Sequence, residues 1–470
     1  MNDPQTNQSE SGPAASGRFN QWRAIFSAAF LCALCASARD GFAQDLTPRA
    51  APQPAPVLIV NATIHPISEP EIKDGFVLFD RGSITGIGTA SSLDSRRVDA
   101  TWRVIDAKGK HVYPGLIGAS TQLGLTEMQS VRASSDFAET GGITPEVRGA
   151  NAVNPDSTLL PVTRSAGELI AGVFPSGGTM PGRAGVIRLD GWTVADMMIR
   201  DQAALVVNWP VTRTVNAPWM NQSEEEQRRG MDKTQKIIEE MISGAKAYAA
   251  AKIADQKLPS DIRYDAMSGI FAASETRDPK PETRLPLFIH AQDYDQITQA
   301  VTLCSKYGLR CVIIGGRDAP LCADLLKRNN VPVIVDGTFK FPKRDDAPYD
   351  DAFTLPARLH AAGITFCIAS GEETAHERNL SNAAGMAVAY GLDHEQGLRA
   401  ITLSSAEVLG IADKYGSLGL EKSATLIVTD GDVLEVTSHV TMAFLDGREV
   451  NLSNKQKVLE ERYRGKYGVK

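Results

Sequence analysis

Histidine and carboxylate side chains that could do chemistry stand just behind several apolar segments of this 470-residue chain. His290 ends one such segment, Asp336 follows another, and Glu372 lies shortly after a third. Imidazole and carboxylate groups can act as general acids and bases, so we take these three as candidate catalytic residues. Glu372 and His376 are four residues apart and could share one helical turn as a metal site or an acid/base pair.

Each of these candidates has a structural alternative. A histidine at the rim of a fold can be hydrogen-bonded and inert. An aspartate directly after a strand, such as Asp318 or Asp336, is also a common turn or N-cap residue. Glu372 and His376 could belong to a solvated polar loop. The residue types alone leave both possibilities open.

A parallel barrel is the element arrangement that would position these residues. Helical stretches separate apolar segments typical of buried strands, at 112–117, 169–174, 204–208, 286–290, 310–315, 331–335 and 364–369. This rhythm predicts an α/β fold, a TIM (β/α)8-type barrel over residues 112–415, whose chemistry lies at the C-terminal strand ends. Residues 223–258 interrupt it with a Glu/Lys/Ala-rich segment. Ser223 and Glu226 have the spacing of a capping box, which predicts a helical insertion there.

Short β segments lie at both ends of the predicted barrel. Residues 57–111 contain runs such as Val57-Leu58-Ile59-Val60, and residues 416–470 contain Leu426-Ile427-Val428. Neither group is large enough to bury its apolar face alone. We therefore predict one small β-sandwich built from both termini, preceded by a Pro/Ala-rich linker over residues 44–56.

The first 43 residues have the pattern of a signal peptide. Arg18 and Arg23 precede the uncharged apolar run 24–36, and Ala36-Ser37-Ala38 is a small-x-small cleavage site. The run is short for a membrane span. We predict an exported protein, periplasmic or extracellular, with no membrane span in the mature chain. An uncleaved N-terminal anchor is the alternative.

The composition does not predict a nucleic-acid partner, and it does not decide whether the cysteines form a disulfide. The net charge is −7 and no basic block is present, so the sequence does not predict nucleic-acid binding. Beyond the predicted signal peptide, the cysteines are Cys304, Cys311, Cys322 and Cys367. They could be buried free thiols, or two of the first three could form a disulfide in an oxidising compartment.

Ordered motifs over residues 57–460 resemble the imidazolonepropionase-like group of the amidohydrolase superfamily. The first is Val112-Tyr113-Pro114-Gly115-Leu116-Ile117, where that group has V-x-P-G-L-I-D-x-H-x-H. Further matching segments are Asn154-Pro155-Asp156-Ser157, Pro175-Ser176-Gly177-Gly178, Arg188-Leu189-Asp190-Gly191-Trp192, Phe288-Ile289-His290-Ala291, Arg378-Asn379-Leu380 and Ala400-Ile401-Thr402-Leu403. The resemblance implies hydrolysis of carbon–nitrogen bonds other than ordinary peptides. It also implies one or two divalent metals, such as zinc, that activate a water molecule.

The chain departs from that group at most of the implied metal ligands. Gly118 stands at the Asp position, Ser120 and Gln122 stand at the two His positions, and Gly316 stands where a later strand should end in His. A hydroxyl and a carboxamide are poor zinc ligands. Strand alternation would put positions 120 and 122 on one face. Of the implied ligands His290 remains, so the resemblance predicts a degenerate metal site.

Two functional hypotheses follow from this combination. In the first, the chain is an amidohydrolase-like hydrolase with altered chemistry, in which His290 acts with Glu372 or Asp336. In the second, it is a non-catalytic barrel that binds a small molecule or a partner protein in the cleft that corresponds to the active site of that group. Fold alone does not decide between them. The sequence specifies neither the substrate nor the oligomeric state.

Overall fold

A computed structural model describes residues 49–93, 98–271, 284–371 and 373–468. The predicted signal peptide and Glu372 lie outside the described residues.

Strands from both ends of the described chain form one eight-stranded sheet. Its strands are β1 (Val57–Ile64), β2 (Ile72–Asp80), β3 (Ser83–Thr89), β4 (Arg103–Asp106), β5 (His111–Pro114), β14 (Leu426–Thr429), β15 (Val440–Leu445) and β16 (Arg448–Glu449). The order is β16-β15-β14-β5-β1-β2-β3, with β4 on β1. In the core of this β domain Phe79 and Phe444 meet edge to face, with ring centroids 5.0 Å apart. The prediction that strands from both termini build one small β domain is confirmed, and the strands of the predicted sandwich belong to a single hydrogen-bonded sheet.

Eight further strands form a nearly closed barrel sheet in chain order. They are β6 (Leu116–Thr121), β7 (Glu168–Val173), β8 (Gly182–Arg188), β9 (Met198–Asn208), β10 (Leu287–Ala291), β11 (Cys311–Gly315), β12 (Val333–Asp336) and β13 (Phe366–Ala369). The predicted TIM-type barrel is confirmed, with one departure. β8 runs antiparallel to both β7 and β9, whereas the other pairs are parallel. The segments on either side of β8 are too short for the crossover that a parallel pair needs.

The predicted first barrel strand, 112–117, is divided between the two sheets. β5 pairs with β1 and β14, whereas β6 pairs with β7. Gly115 lies between them, and a Cβ atom there would come within 2.8 Å of the Leu169 side chain and 3.0 Å of Thr425. The chain therefore passes from the β domain into the barrel at a crowded position, where a Cβ atom would have to displace the Leu169 and Thr425 side chains.

Helices connect the strands and cover the barrel. They are α1 (Leu159–Arg164), α2 (Val194–Met197), α3 (Glu224–Ala254), α4 (Ile262–Met267), α5 (Tyr294–Tyr307), α6 (Ala323–Arg328), α7 (Asp351–Ala361), α8 (Leu380–Ala389), α9 (His394–Ala400), α10 (Leu403–Leu409) and α11 (Lys455–Tyr467). The predicted helix within 223–258 is α3, and Ser223 and Glu226 form its capping box. Across the described ranges, no helix is long and apolar enough to cross a bilayer.

Alternate residues of the barrel strands share one interior. Ile117, Phe288 and Ile334 belong to a cluster that also includes residues of α10. Their strand neighbours pack outward against the connecting helices. Because side chains alternate along a strand, His290, two residues beyond Phe288, and Asp336, two residues beyond Ile334, lie on the interior face.

Candidate active site

His290 lies near the C-terminal end of β10, on the interior face of the barrel and partly buried. Its neighbours across the sheet are Asn208, which ends β9, and Ile314 on β11. Burial lowers the pKa of His290 below its usual value; nearby Asp336 raises this pKa and Lys340 lowers it further. The ring is therefore neutral at neutral pH, which is the form that accepts a proton or binds a metal.

Asp336 ends β12 on the same interior face, but its carboxylate is engaged by a lysine. Lys340 donates from Nζ to Asp336 Oδ2 at 2.7 Å, and each side chain is about one third exposed, at 32% and 35%. Within the described part of the chain, no hydrogen bond joins His290 to Asp336. The structure brings these two predicted residues near each other. The partner of Asp336 is Lys340, a residue that the sequence alone did not indicate.

The β6 segment that resembles the metal-binding motif contains a β-bulge. Its pairing with β7 passes from Gly118–Ala171 to Thr121–Val173, so β6 uses one more residue than β7 over this interval. The bulge interrupts the alternation that would put positions 120 and 122 on one face. Ser120 and Gln122 are both partly buried there.

Glycines with left-handed backbone follow β11 and β13, and the first of them, Gly316, stands at an implied ligand position. Gly316 has φ +67°, and a Cβ atom there would lie 2.6 Å from Val333 Cγ1. Gly371, just after β13, has φ +63°, and a Cβ atom there would meet the backbone of Asp336 and Gly337. A histidine or aspartate at either position would be strained as well as crowded. At Gly316, the implied histidine position is therefore disfavoured by the left-handed backbone and crowded by the Val333 side chain.

The donor atoms present do not fit the metal centre that the resemblance implies. A catalytic zinc takes three protein ligands from His, Cys, Asp or Glu. Over residues 49–93, 98–271, 284–371 and 373–468, no group of three such side chains is placed to hold a metal. His290 contributes one imidazole, and Asp336 is paired with Lys340.

A cavity of about 230 Å³ opens at the barrel mouth beside Asp336. It lies between the ends of β11 and β12 and the start of α7, and its walls include Arg317, Lys340, Phe341 and Leu355. Phe341 is 91% exposed at its edge. Larger clefts of about 440 and 430 Å³ lie beside α3 and along residues 136–152, and neither of them borders Asp336. The cavity combines charged and apolar walls.

Asn208 is an interior rim residue that the sequence did not single out. It ends β9 next to His290, and its Nδ2 donates to the Gly178 carbonyl at 2.7 Å. This bond anchors the Gly-rich loop 175–182, in which Gly177 and Gly178 have positive φ. Asn208 is the last residue of the predicted strand 204–208. A polar residue at the end of an apolar run is the sequence signal that could have identified it.

Asp318 has a structural role in a loop, in line with the turn alternative given for it from the sequence. Its side chain is 3% exposed and accepts two bonds from Arg344, at 2.9 and 3.1 Å. The backbone N–H of Tyr294 donates to the same carboxylate at 3.1 Å. Asp318 therefore fixes the loop that follows β12, which carries Lys340 and Phe341.

The other histidines with possible functional roles do not belong to a group of three metal ligands in the described ranges. His376 is exposed on the short 3-10 segment Thr374–Asn379. In the β domain, His65 Nε2 and His111 Nδ1 are 2.9 Å apart, and their ring planes differ by 13°. These two nitrogens therefore point at each other, as in an N–H···N bond, rather than at a shared ion.

The four cysteines in the described ranges are buried thiols. Cys304, Cys311, Cys322 and Cys367 are buried and free, as the free-thiol alternative predicted. Burial raises the pKa of Cys367 to about 12 and that of Cys322 to about 11. Such thiols are protonated at neutral pH and therefore weak nucleophiles.

Comparison with known proteins agrees with this fold. No protein-family model matches the chain. "Amidohydrolase tasK" of Hapsidospora irregularis is 20% identical over 402 residues, covering 79% of this chain and 39% of that protein. An imidazolonepropionase of Mesorhizobium japonicum is 27% identical over 147 residues, covering 31% of this chain and 35% of that protein. The chain thus spans well under half the length of these two relatives.

A solved structure resembles this chain over most of its length. The amidohydrolase from Thermotoga maritima MSB8 superimposes with a TM-score of 0.72 at 23% identity, covering 84% of this chain and 99% of that one. At this identity the likeness concerns the fold, and it includes the barrel together with the β domain. Taken with the two relatives and with the motifs on β6 and β10, it identifies the chain as a member of the amidohydrolase superfamily.

Proposed function

We propose that this chain binds a small molecule at the mouth of its barrel and has lost the metal-dependent hydrolysis of its superfamily. The observation that carries the proposal is the Asp336–Lys340 ion pair at 2.7 Å, set beside a single interior imidazole, His290. A lysine ammonium at this carboxylate supplies the positive charge that a metal would otherwise supply.

The replaced ligand positions support the same proposal. Ser120 lies in the bulged part of β6 and Gln122 follows that strand, and a larger side chain at Gly316 would be strained by the left-handed backbone. Metal affinity requires several ligands that converge. A cation at His290 would have one good ligand and a carboxylate already engaged. Glu372, a further sequence-based candidate, lies outside the described residues.

The cavity beside Asp336 is the proposed ligand site. Its volume of about 230 Å³ fits a molecule smaller than most drugs. Lys340 and Arg317 offer hydrogen-bond donors, and Phe341 and Leu355 offer apolar contact. We propose that a small, partly apolar ligand with acceptor groups occupies it.

Metal content and ligand binding test this proposal together. Elemental mass spectrometry of protein purified from zinc-supplemented medium should find far less than one equivalent of metal. In a thermal-shift screen of small molecules, compounds that stabilise the wild-type protein should fail to stabilise Leu355→Trp, which fills the cavity. Val436→Trp, at a position 77% exposed in the C-terminal region, is the matched control and should respond like the wild type. Stoichiometric metal that disappears in His290→Ala would overturn the proposal.

A second candidate function, metal-independent hydrolysis, rests on the state of His290. Its lowered pKa leaves a neutral imidazole near a carboxylate at neutral pH, as general-base catalysis requires. Hydrolysis of an activated ester in the presence of a chelator should then fall at least tenfold in His290→Gln. Equal rates in the two proteins would contradict general-base catalysis by His290, and ligand binding would be the remaining proposed function.

We also propose that the protein is exported, from the signal-like pattern of residues 1–43. N-terminal sequencing of protein from the native host should find a mature start between Arg39 and Gln44. A chain that still carries Arg18 and Arg23 would instead indicate a retained anchor.

A further inference from the structure

Two glutamates are buried together where β6 and β7 meet the segment that follows β13. Glu168 begins β7, and Glu377 lies in the 3-10 segment Thr374–Asn379. Each residue is 1% exposed. A Cβ atom built on Gly118 would meet Oε1 of both, with Glu377 Oε1 at 3.0 Å. The two carboxyl groups therefore border the same small volume, and glycine at position 118 leaves room for them.

Glu377 is held by hydroxyl donors. Its Oε2 accepts a bond from Thr121 Oγ1 at 2.8 Å and one from Ser370 Oγ at 2.7 Å. Hydroxyl groups donate best to an ionised carboxylate. Thr121 ends β6 and Ser370 follows β13, so Glu377 connects the first and last strands of the barrel sheet, which are not paired in its hydrogen-bonded order.

Glu168 lacks such donors. Neither of its carboxyl oxygens has a hydrogen-bond partner within the described part of the chain. A buried carboxylate without donors, placed beside a second carboxylate, is strongly unfavourable. A carboxylic acid in the same place is neutral and has an O–H group to donate.

The charged groups on neighbouring elements do not compensate Glu168. On α1, which precedes β7, the Arg164 guanidinium donates to Asp190 at 2.7 Å. On β8, which pairs with β7, Arg188 is paired with Asp446. On the 3-10 segment, His376 and Arg378 are exposed. Burial first, and then the charge of Glu377, raise the pKa of Glu168 well above its usual value.

We propose that Glu168 keeps its proton at neutral pH and donates it in a hydrogen bond to the Glu377 carboxylate. The proton remains covalently bonded to the Glu168 oxygen, and Glu377 accepts it only in the hydrogen bond. Glu168 is then a positioning residue, because it orients Glu377, and Glu377 holds Thr121 of β6 and Ser370 after β13. Thr121 lies between Ser120 and Gln122. The buried acid pair therefore fixes the position of the C-terminal end of β6 at the barrel mouth.

Infrared spectroscopy of the wild-type protein tests the proton directly. With 13C-labelled glutamate, a protonated-carboxyl band should persist at pH 7, when exposed glutamates are ionised, and should disappear only at higher pH. The band should be absent from Glu168→Gln and present in Glu461→Gln, which changes an exposed glutamate of α11. No such band in the wild type would overturn the proposal, and this measurement does not depend on the folding of a variant.

The pH dependence of stability provides a second readout. A folded-state pKa raised above the unfolded value gives stability that is full below the unfolded pKa and is lost as pH rises toward the folded one. The unfolding equilibrium constant of the wild type, relative to Glu168→Gln, should therefore rise up to tenfold per pH unit above about 4.5. The amide group that Glu168→Gln introduces donates at every pH, so the variant should lack this component. Glu461→Gln should follow the wild type.

A cation between the two carboxylates is the competing explanation. In that case an added divalent or monovalent cation would stabilise the wild type at pH 7 by several degrees, and would not stabilise Glu168→Gln. That result would overturn the shared proton. Equal cation responses of the two proteins, together with the infrared band, would support it.

Discussion

At the scale of single residues, the barrel mouth depends on which group compensates each charge. Lys340 neutralises Asp336, and Arg344 neutralises Asp318. His290 remains as an uncharged imidazole on the interior face. These pairings make the mouth a polar surface on which both carboxylates are compensated by basic side chains.

The first prediction concerns the titration of His290. Lys340 lowers the pKa of this imidazole and Asp336 raises it, so Lys340→Met should raise the pKa measured by NMR titration of the ring protons. Lys343→Met is the matched control. Lys343 also lines the cavity but does not contribute to the His290 shift, so it should leave the pKa unchanged. Equal shifts in the two variants would contradict the described position of Lys340.

The sign of the pH effect on stability follows from the same shift. A histidine whose folded-state pKa is lowered gives stability that is present above its unfolded pKa, about 6.5, and is lost as pH falls through the folded value. Because Lys340→Met raises the folded pKa, it should reduce the loss of stability below pH 6.5. Denaturant unfolding between pH 5 and pH 8 measures this difference.

At the scale of elements, glycines determine how the ends of β12 and β13 approach each other. Gly337 and Gly371 follow adjacent strands and have positive φ, and a Cβ atom on either would collide with backbone of the other strand end. This close approach places Asp336 beside Ser370. It also explains why the end of β13 carries no side chain at position 371.

The second prediction separates this crowding from backbone strain. Gly337→Ala introduces a Cβ atom against the Ser370 carbonyl, at φ +78°. Gly308→Ala introduces one at φ +66° with nothing within 4 Å. Both variants should lose about 1–2 kcal/mol from left-handed strain. Gly337→Ala should lose about 1–3 kcal/mol more from overpacking, as measured by urea unfolding. Equal losses would show that β12 and β13 are farther apart than described.

At the scale of the whole molecule, one buried ion pair joins distant parts of the chain. Arg164 on α1 donates to Asp190, which follows β8, and both side chains are nearly inaccessible, at 1% and 0%. Arg164 also donates to the Asn451 carbonyl, and Asp190 accepts from the Ala50 backbone. The pair thus links the start of the described chain, the barrel and the C-terminal region.

The third prediction is that this link is essential to stability. Asp190→Ala leaves the Arg164 guanidinium buried without its charged partner, which should cost about 3–5 kcal/mol of unfolding free energy. Glu460→Ala removes an exposed ion pair with Arg464, whose side chains are 59% and 55% exposed, and should change stability by less than about 1 kcal/mol. Similar melting temperatures for the two variants would contradict the burial of Arg164.

Local signals in the sequence determined the element types and the superfamily. The capping-box spacing at Ser223 and Glu226 predicted α3, and the apolar runs predicted the strands that became β7 and β9 to β13. The motifs at Gly115 and His290 indicated the superfamily. These features depend on residues close together in the chain, so periodicity and spacing report them directly.

Only the tertiary structure decided how those elements are paired and which charges meet. β8 was not predicted as a strand, because its antiparallel pairing depends on the short segments around it rather than on an apolar run. The division of 112–117 at Gly115 and the bulge before Thr121 depend on neighbouring strands. Lys340 at Asp336, and Glu168 beside Glu377, are contacts that spacing alone does not specify. Long-range packing sets burial, and burial sets whether a carboxyl group is a ligand, an ion-pair partner or a neutral acid.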